Sequence, residues 1–163
     1  MATGTCKVSK KVVGQMLKCF CGCSEMTENE VRRIYRLSTK ETLSDTRAAQ
    51  IFRRFLEQER CDEKGEIEVY LDIYELCSEY LKQDYLTFDQ LNTLIDLELK
   101  YYLEKKLKLY VILLEEKQRP NINLHEIERD LKRVQDDYRS EIEASGEYRN
   151  YKHALLNKLK QLT

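Results

Sequence analysis

Apolar side chains recur at three- and four-residue spacing along most of this chain, the period that lines them up on one face of a helix. In "SKKVVGQMLKCF", Val13, Met16, Leu17 and Phe20 share a face while Lys10, Lys11 and Lys18 lie off it. That pattern predicts a short amphipathic helix from Ser9 to about Cys21. "TENE" at 27–30 reads as a capping box, with Thr27 as cap and Glu30 reaching back, and opens a helix through Val31, Ile34 and Tyr35. "STKETLSD" reads as a turn. Ser44 or Asp45 then caps a helix lined by Ala48, Ile51, Phe52, Phe55 and Leu56. Gly65 breaks the pattern, which resumes from Ile67 to about Lys82. "TFDQ" at 87–90 is a second capping box, and from Phe88 the apolar pattern runs on to about Gln118. Unbroken, that helix would be about 45 Å long at 1.5 Å per residue. Pro120 stops it, Asn123 caps a helix through Leu124, Ile127, Leu131, Val134, Tyr138 and Ile142, and "ASGE" precedes a last helix carrying Tyr148, Tyr151, Leu155, Leu156 and Leu159. The prediction is six or seven helices and no strand.

Composition agrees. With 5 Gly and 1 Pro against 35% charged residues, turn-formers are too scarce for an all-β chain, so the fold class is all-α. A length of 163 residues suits one bundle over 27–163, preceded by a Cys-rich amphipathic segment over 1–26. The net charge of −1 hides a division: residues 1–60 hold 12 basic and 7 acidic side chains, residues 61–163 hold 16 and 22. A basic front points to a membrane surface or an acidic partner. There is no run of about 18 apolar residues to span a bilayer and no apolar leader at the N-terminus. Ala2 rules out glycine-dependent myristoylation. The expected place is therefore the cytoplasm, where the six cysteines stay thiols.

"CFCGC" puts Cys19, Cys21 and Cys23 on alternate positions. Zinc sites pair ligands as C-x2–4-C with a second such pair, which this chain lacks, so no metal is expected. Two readings remain for these cysteines. Ending a basic amphipathic helix, they are candidate S-acylation sites, one chain plus lysines supplying the two signals that anchoring needs. As part of the first helix of a bundle, they are small core hydrophobes. His125 and His153 lie among surface-type neighbours. The stretch around Gly65 has the Gly-x-Ile core of a calcium loop, but Arg60 and Leu71 fall where the first and last carboxylates belong. No phosphate loop, nucleophile elbow or HExxH is present, so no catalytic residue and no cofactor is assigned. The arginines at 32, 33, 36, 53 and 54 fit helix solvation, not nucleic-acid binding.

One stretch, Ile51 to Leu81, resembles the middle of a regulator of G-protein signalling (RGS) domain. Phe52, Phe55, Leu56 and Glu59 match that family's Phe-x-x-Phe-Leu-x-x-Glu helix end. Cys61, Asp62, Glu63 and Lys64 occupy its acidic loop, and Ile67 to Tyr74 match its aromatic helix after a two-residue insertion, Gly65–Glu66. "GEYRNY" at 146–151 is similar to the family's last contact motif. The resemblance implies a four-helix subdomain beside one formed by the terminal helices, and a break near Glu104 in the long helix. It also implies partner contacts at Glu63, Lys64, Tyr148 and Asn150. The positions at which the family holds a Gα subunit in its transition-state form read Lys64, Gly146 and Asn150 here, and an ammonium does not replace an amide. The expectation is a non-enzymatic interaction module that binds a Gα subunit or a scaffold, without nucleic acid, and is tethered to membrane if the cysteines are acylated. The rival is a structural subunit that assembles with another chain through the 88–118 helix.

Overall fold

A computed structural model describes residues 16–20, 25–60, 62–97, 112, 115 and 119–161. The chain divides into two compact units. One is built from both ends, residues 1–65 and 143–163, and the other from the middle, Glu66–Ile142. Seven helices are present among the described residues, so the all-α class holds. They are α1 (Glu28–Arg36), α2 (Thr39–Ser44), α3 (Thr46–Glu59), α4 (Glu66–Tyr80), α5 (Phe88–Leu97), α6 (Leu124–Ala144) and α7 (Gly146–Lys160).

The prediction of no strand is corrected by two short antiparallel ladders. β1 (Met16–Lys18) pairs with β2 (Glu25–Thr27), Leu17 opposite Met26. β3 (Tyr85–Thr87) pairs with β4 (Asn121–Asn123), Leu86 opposite Ile122. The first ladder overturns the helical assignment of residues 16–18. Over so short a stretch, apolar spacing does not distinguish a helix from an extended segment. Pairing with β2 satisfies the backbone of β1, and Met26 is buried at 1% exposure. Residues 9–15 and 21 of the expected helix lie outside the described residues.

In the unit built from the chain ends, local capping works largely as the sequence suggests. Thr27 accepts from the Glu30 amide at 3.0 Å, although the Glu30 carboxylate is met by Arg47 of α3 at 3.3 Å. Asp45 accepts from the Ala48 amide at 2.9 Å and Ser145 from the Tyr148 amide at 3.1 Å. The predicted turn at 38–45 is instead α2, closed by a complete Ser38/Glu41 capping box and holding Thr42 and Leu43 in the core. An aromatic cluster fills that core. Phe52 lies 5.5 Å from Tyr148 and 4.8 Å from Tyr151 between ring centroids, and Phe20 packs edge-on against Phe55 at 5.1 Å. Lys152 reaches across from α7 to donate to the Tyr35 and Leu37 carbonyls, both at 2.6 Å, closing the C-terminus of α1.

In the middle unit, α4 buries Tyr70, Leu71, Ile73, Cys77 and Tyr80. Gln135 of α6 donates to the Tyr74 carbonyl at 3.0 Å and to Ser78 Oγ at 2.6 Å, and Tyr70 and Tyr138 stack at 4.9 Å. The long helix expected over 88–118 is helical from Phe88 to Leu97 and again at Ile112 and Glu115. Its continuity, and the break expected near Glu104, lie outside the described residues.

Candidate functional site

The middle unit brings together two helix starts of matching design. α5 begins directly after β3 and α6 directly after β4, so the ladder ties the two starts to each other. Leu86 and Ile122, opposite one another, are 0% and 3% exposed. The Leu124 amide donates to the Asp84 carbonyl at 2.9 Å, just past the end of the ladder.

Each start is capped from both directions. At the first, Thr87 Oγ1 accepts from the Gln90 amide at 3.2 Å and Gln90 Oε1 accepts from the Thr87 amide at 2.8 Å, the box read from "TFDQ". At the second, Asn123 Oδ1 accepts from the His125 amide at 2.9 Å and Glu126 Oε2 accepts from the Asn123 amide at 3.1 Å. In both, the residue three past the strand is also gripped by a side chain seven positions earlier. Gln90 Nε2 donates to Gln83 Oε1 at 2.8 Å. Arg119 donates twice to Glu126, at 3.3 Å and 2.8 Å, a bidentate pair. The Glu126 carboxylate holds the Arg119 guanidinium pKa above its ordinary value. Tyr80, whose phenol burial pushes up in pKa, donates to the Gln90 carbonyl at 2.9 Å and closes the first loop on α4.

This spacing is that of a calcium-binding loop of twelve residues, whose ligands stand at the first, third, fifth, seventh, ninth and twelfth positions. Gln90 and Glu126 take the twelfth, Gln83 and Arg119 the fifth, Thr87 and Asn123 the ninth. The donor sets do not fit the ion. Leu81 and Lys117 stand third, Arg119 stands fifth, and the twelfth position of the first loop is a neutral amide. Asp84 and Pro120 replace the glycine of the sixth position. Among the described residues, no group of three or more His, Cys, Asp or Glu side chains is arranged to hold a metal.

The partner-contact and lipidation candidates read from the sequence belong to the other unit. Glu63 and Lys64 are exposed between α3 and α4, and Asn150 is exposed on α7. Tyr148 is instead core, 6% exposed, with its hydroxyl 3.3 Å from Thr42 Oγ1 and the Lys152 ammonium 5.7 Å from its ring centroid. Cys19 is 3% exposed and receives an Arg54 N–H at 3.7 Å, so its thiol is packed against that side chain. Lys158 lies beside it, over the Phe20 ring at 4.8 Å, with burial lowering its pKa. Cys21 and Cys23 lie outside the described residues. His125 and His153 are exposed.

Sequence reasoning missed Gln83, Leu86, Arg119 and Ile122. The signal was there: "YLTFDQ" and "NINLHE" share an apolar residue, a capping residue and a Gln or Glu at identical spacing. Among known families, curated proteins and solved structures, comparison finds no match to this chain.

Proposed function

We propose that this chain is a non-enzymatic helical interaction module whose working part is the middle unit, a helix–loop–helix pair of the EF-hand type that takes no calcium. The observation that carries this reading is the pairing of the two helix starts through Leu86 and Ile122. Helix-loop-helix pairs of this kind present helices to a protein ligand, commonly an amphipathic helix. Here the ligand set for the ion is incomplete, so binding is constitutive. The module works in the cytoplasm, with its basic first sixty residues facing an acidic partner or an anionic membrane surface. Among the described residues no helix is long and apolar enough to cross a membrane. Proximity labelling in cells, followed by reconstitution with the purified partner, tests the reading. A defined complex in chelator, unchanged by calcium, is expected. A complex that forms only with calcium, or none on reconstitution, would sink it.

A second reading, an RGS-type module that binds Gα without accelerating GTP hydrolysis, is favoured by the division of the chain into a terminal and a middle unit. The burial of Tyr148 weighs against it, because a core side chain is not a contact. The two readings place the partner on different units. Lys64→Ala with Asn150→Ala weakens partner binding only on the second. Single-turnover hydrolysis by Gα subunits is expected to stay unchanged. A tenfold acceleration, about 1.4 kcal/mol of transition-state stabilisation, would show an enzyme-activating function.

A further inference from the structure

A calcium loop needs something at its centre, because the carboxylate at its twelfth position points inward at the first turn of a helix and repels its neighbours unless a cation meets it. Both loops of this pair keep the capped helix start and the paired strand that follow that centre, yet neither carries the full ligand set for the ion. We propose that side chains of the loops themselves occupy the two ion positions: the Arg119 guanidinium is the resident cation of the second loop, bound by Glu126, and the Gln83–Gln90 amide pair is the neutral closure of the first. The inference rests on the EF-hand-type reading of the middle unit and adds to it how the pair stays shut without an ion.

The geometry of each loop carries it. In a calcium loop the fifth and twelfth ligands are drawn together by binding one ion. Here those same positions touch directly, at 2.8 Å in both loops. In the second loop the charge is conserved in kind: a carboxylate at the twelfth position is answered by a positive group, delivered by the chain and not by solvent. In the first loop the charge is removed from both sides at once. A glutamine at the twelfth position has an N–H to give, and Gln83 has the oxygen to receive it. In both loops the twelfth residue keeps its second task, accepting the amide of the ninth residue, at 2.8 Å for Thr87 and 3.1 Å for Asn123. The capped start of each helix is therefore tied to the incoming chain, and the Leu86–Ile122 ladder ties the two loops together. An ion-operated pair opens and closes with its ligand. This one is held in a single state, as a module that binds constitutively must be.

Charge reversal in the full-length protein tests the idea. Wild type and Arg119→Lys, which both keep a cation at the position, should melt at the same temperature in chelator and in millimolar calcium. Arg119→Ala should lower Tm by about 3 °C, the order expected for a partly exposed ion pair in a unit of this size. Arg119→Asp, which faces Glu126 with a second carboxylate, should fall further, and the excess over Arg119→Ala should be recovered by millimolar calcium or terbium. In the first loop, Gln83→Asp combined with Gln90→Glu should do the same, while Gln90→Glu alone, which leaves Gln83 able to turn its amide and donate, should be neutral. Amide exchange at Leu124, whose N–H bonds Asp84, reports opening of the pair directly, so a Tm change from elsewhere is told apart. The proposal is overturned if wild type is stabilised by calcium, if Arg119→Asp is no worse than Arg119→Ala, or if its excess loss is blind to multivalent cations. None of these readouts involves a partner, so the closure of the loops stands or falls separately from the interaction function.

Discussion

Tyr151 shows how one side chain can carry an unbalanced polar group in an otherwise apolar core. Its ring meets Phe20, Phe52, Phe55 and Tyr148 at centroid distances of 4.8 to 6.0 Å, and the residue is 0% exposed. Its hydroxyl finds no hydrogen-bond partner among the described residues, and burial pushes its ionisation well above the ordinary tyrosine value. A buried donor without a partner keeps the cost of leaving water and gains nothing in return. Tyr151→Phe is therefore expected to leave stability unchanged or raise it by up to about 1 kcal/mol in urea unfolding, whereas most aromatic core changes destabilise. A loss larger than that would mean that the hydroxyl is bonded. From the sequence, Tyr148 and Tyr151 stand on the same apolar face and both are visible as core positions. The spacing cannot tell which hydroxyl meets Thr42 and which meets none, because that depends on which helix lies opposite.

Elements in this chain are punctuated by side chains that serve two neighbours at once, and Asp45 is the clearest. It ends α2 and begins α3, accepting from the Ala48 amide at 2.9 Å and from Arg33 at 2.7 Å. The hydrogen bond from Arg33, and then that from the Ala48 amide, hold its carboxyl below the ordinary pKa of 3.8. A depressed carboxylate pKa means that the unfolded chain takes up protons first as pH falls. The stability it contributes is present above pH 3.8 and is lost as pH drops through the folded-state value. Asp45→Ala should cost about 1 kcal/mol, the worth of an N-cap. Asp45→Asn keeps the capping oxygen and loses only the charge, so it should lose less. Its difference from wild type should shrink to nothing as the pH is taken below the aspartate range, followed by urea midpoint against pH. An equal gap at all pH values would mean that the Arg33 pair contributes nothing. The sequence offered Ser44 or Asp45 for this cap. Asp45 takes it because α2 is itself a helix, which puts Ser44 inside an element and leaves Asp45 at the junction.

Over the whole molecule, the division into a unit made from both chain ends and a unit made from the middle sets where each function is sought. Cys19 belongs to the first, packed beside Arg54, and the closed loops belong to the second. Neither arrangement calls for a metal. Purified protein is expected to carry no stoichiometric zinc or calcium and to keep its helical circular dichroism in chelator, since ion-dependent folds unravel when the ion is removed. One equivalent of either metal by elemental analysis, with loss of helicity on its removal, would contradict this.

What the sequence determined alone was carried by contacts of a few residues. The helical class, the break at Gly65 and the caps at Thr27, Thr87 and Asn123 all follow from a side chain answering a backbone amide two or three positions on, or from the absence of a side chain. What only the tertiary structure decided were pairings between distant segments. β1 is extended and not helical because β2 lies alongside it, and α2 is a helix and not a turn because Thr42 and Leu43 have a core to enter. The Tyr148 hydroxyl meets Thr42, and that of Tyr151 meets no partner among the described residues, because of which helix lies opposite each. The two loops were separately legible as capped helix starts. Their union was not, because Leu86 and Ile122 come from opposite sides of residues 98–118, and periodicity within a segment carries no information about which segment it will meet.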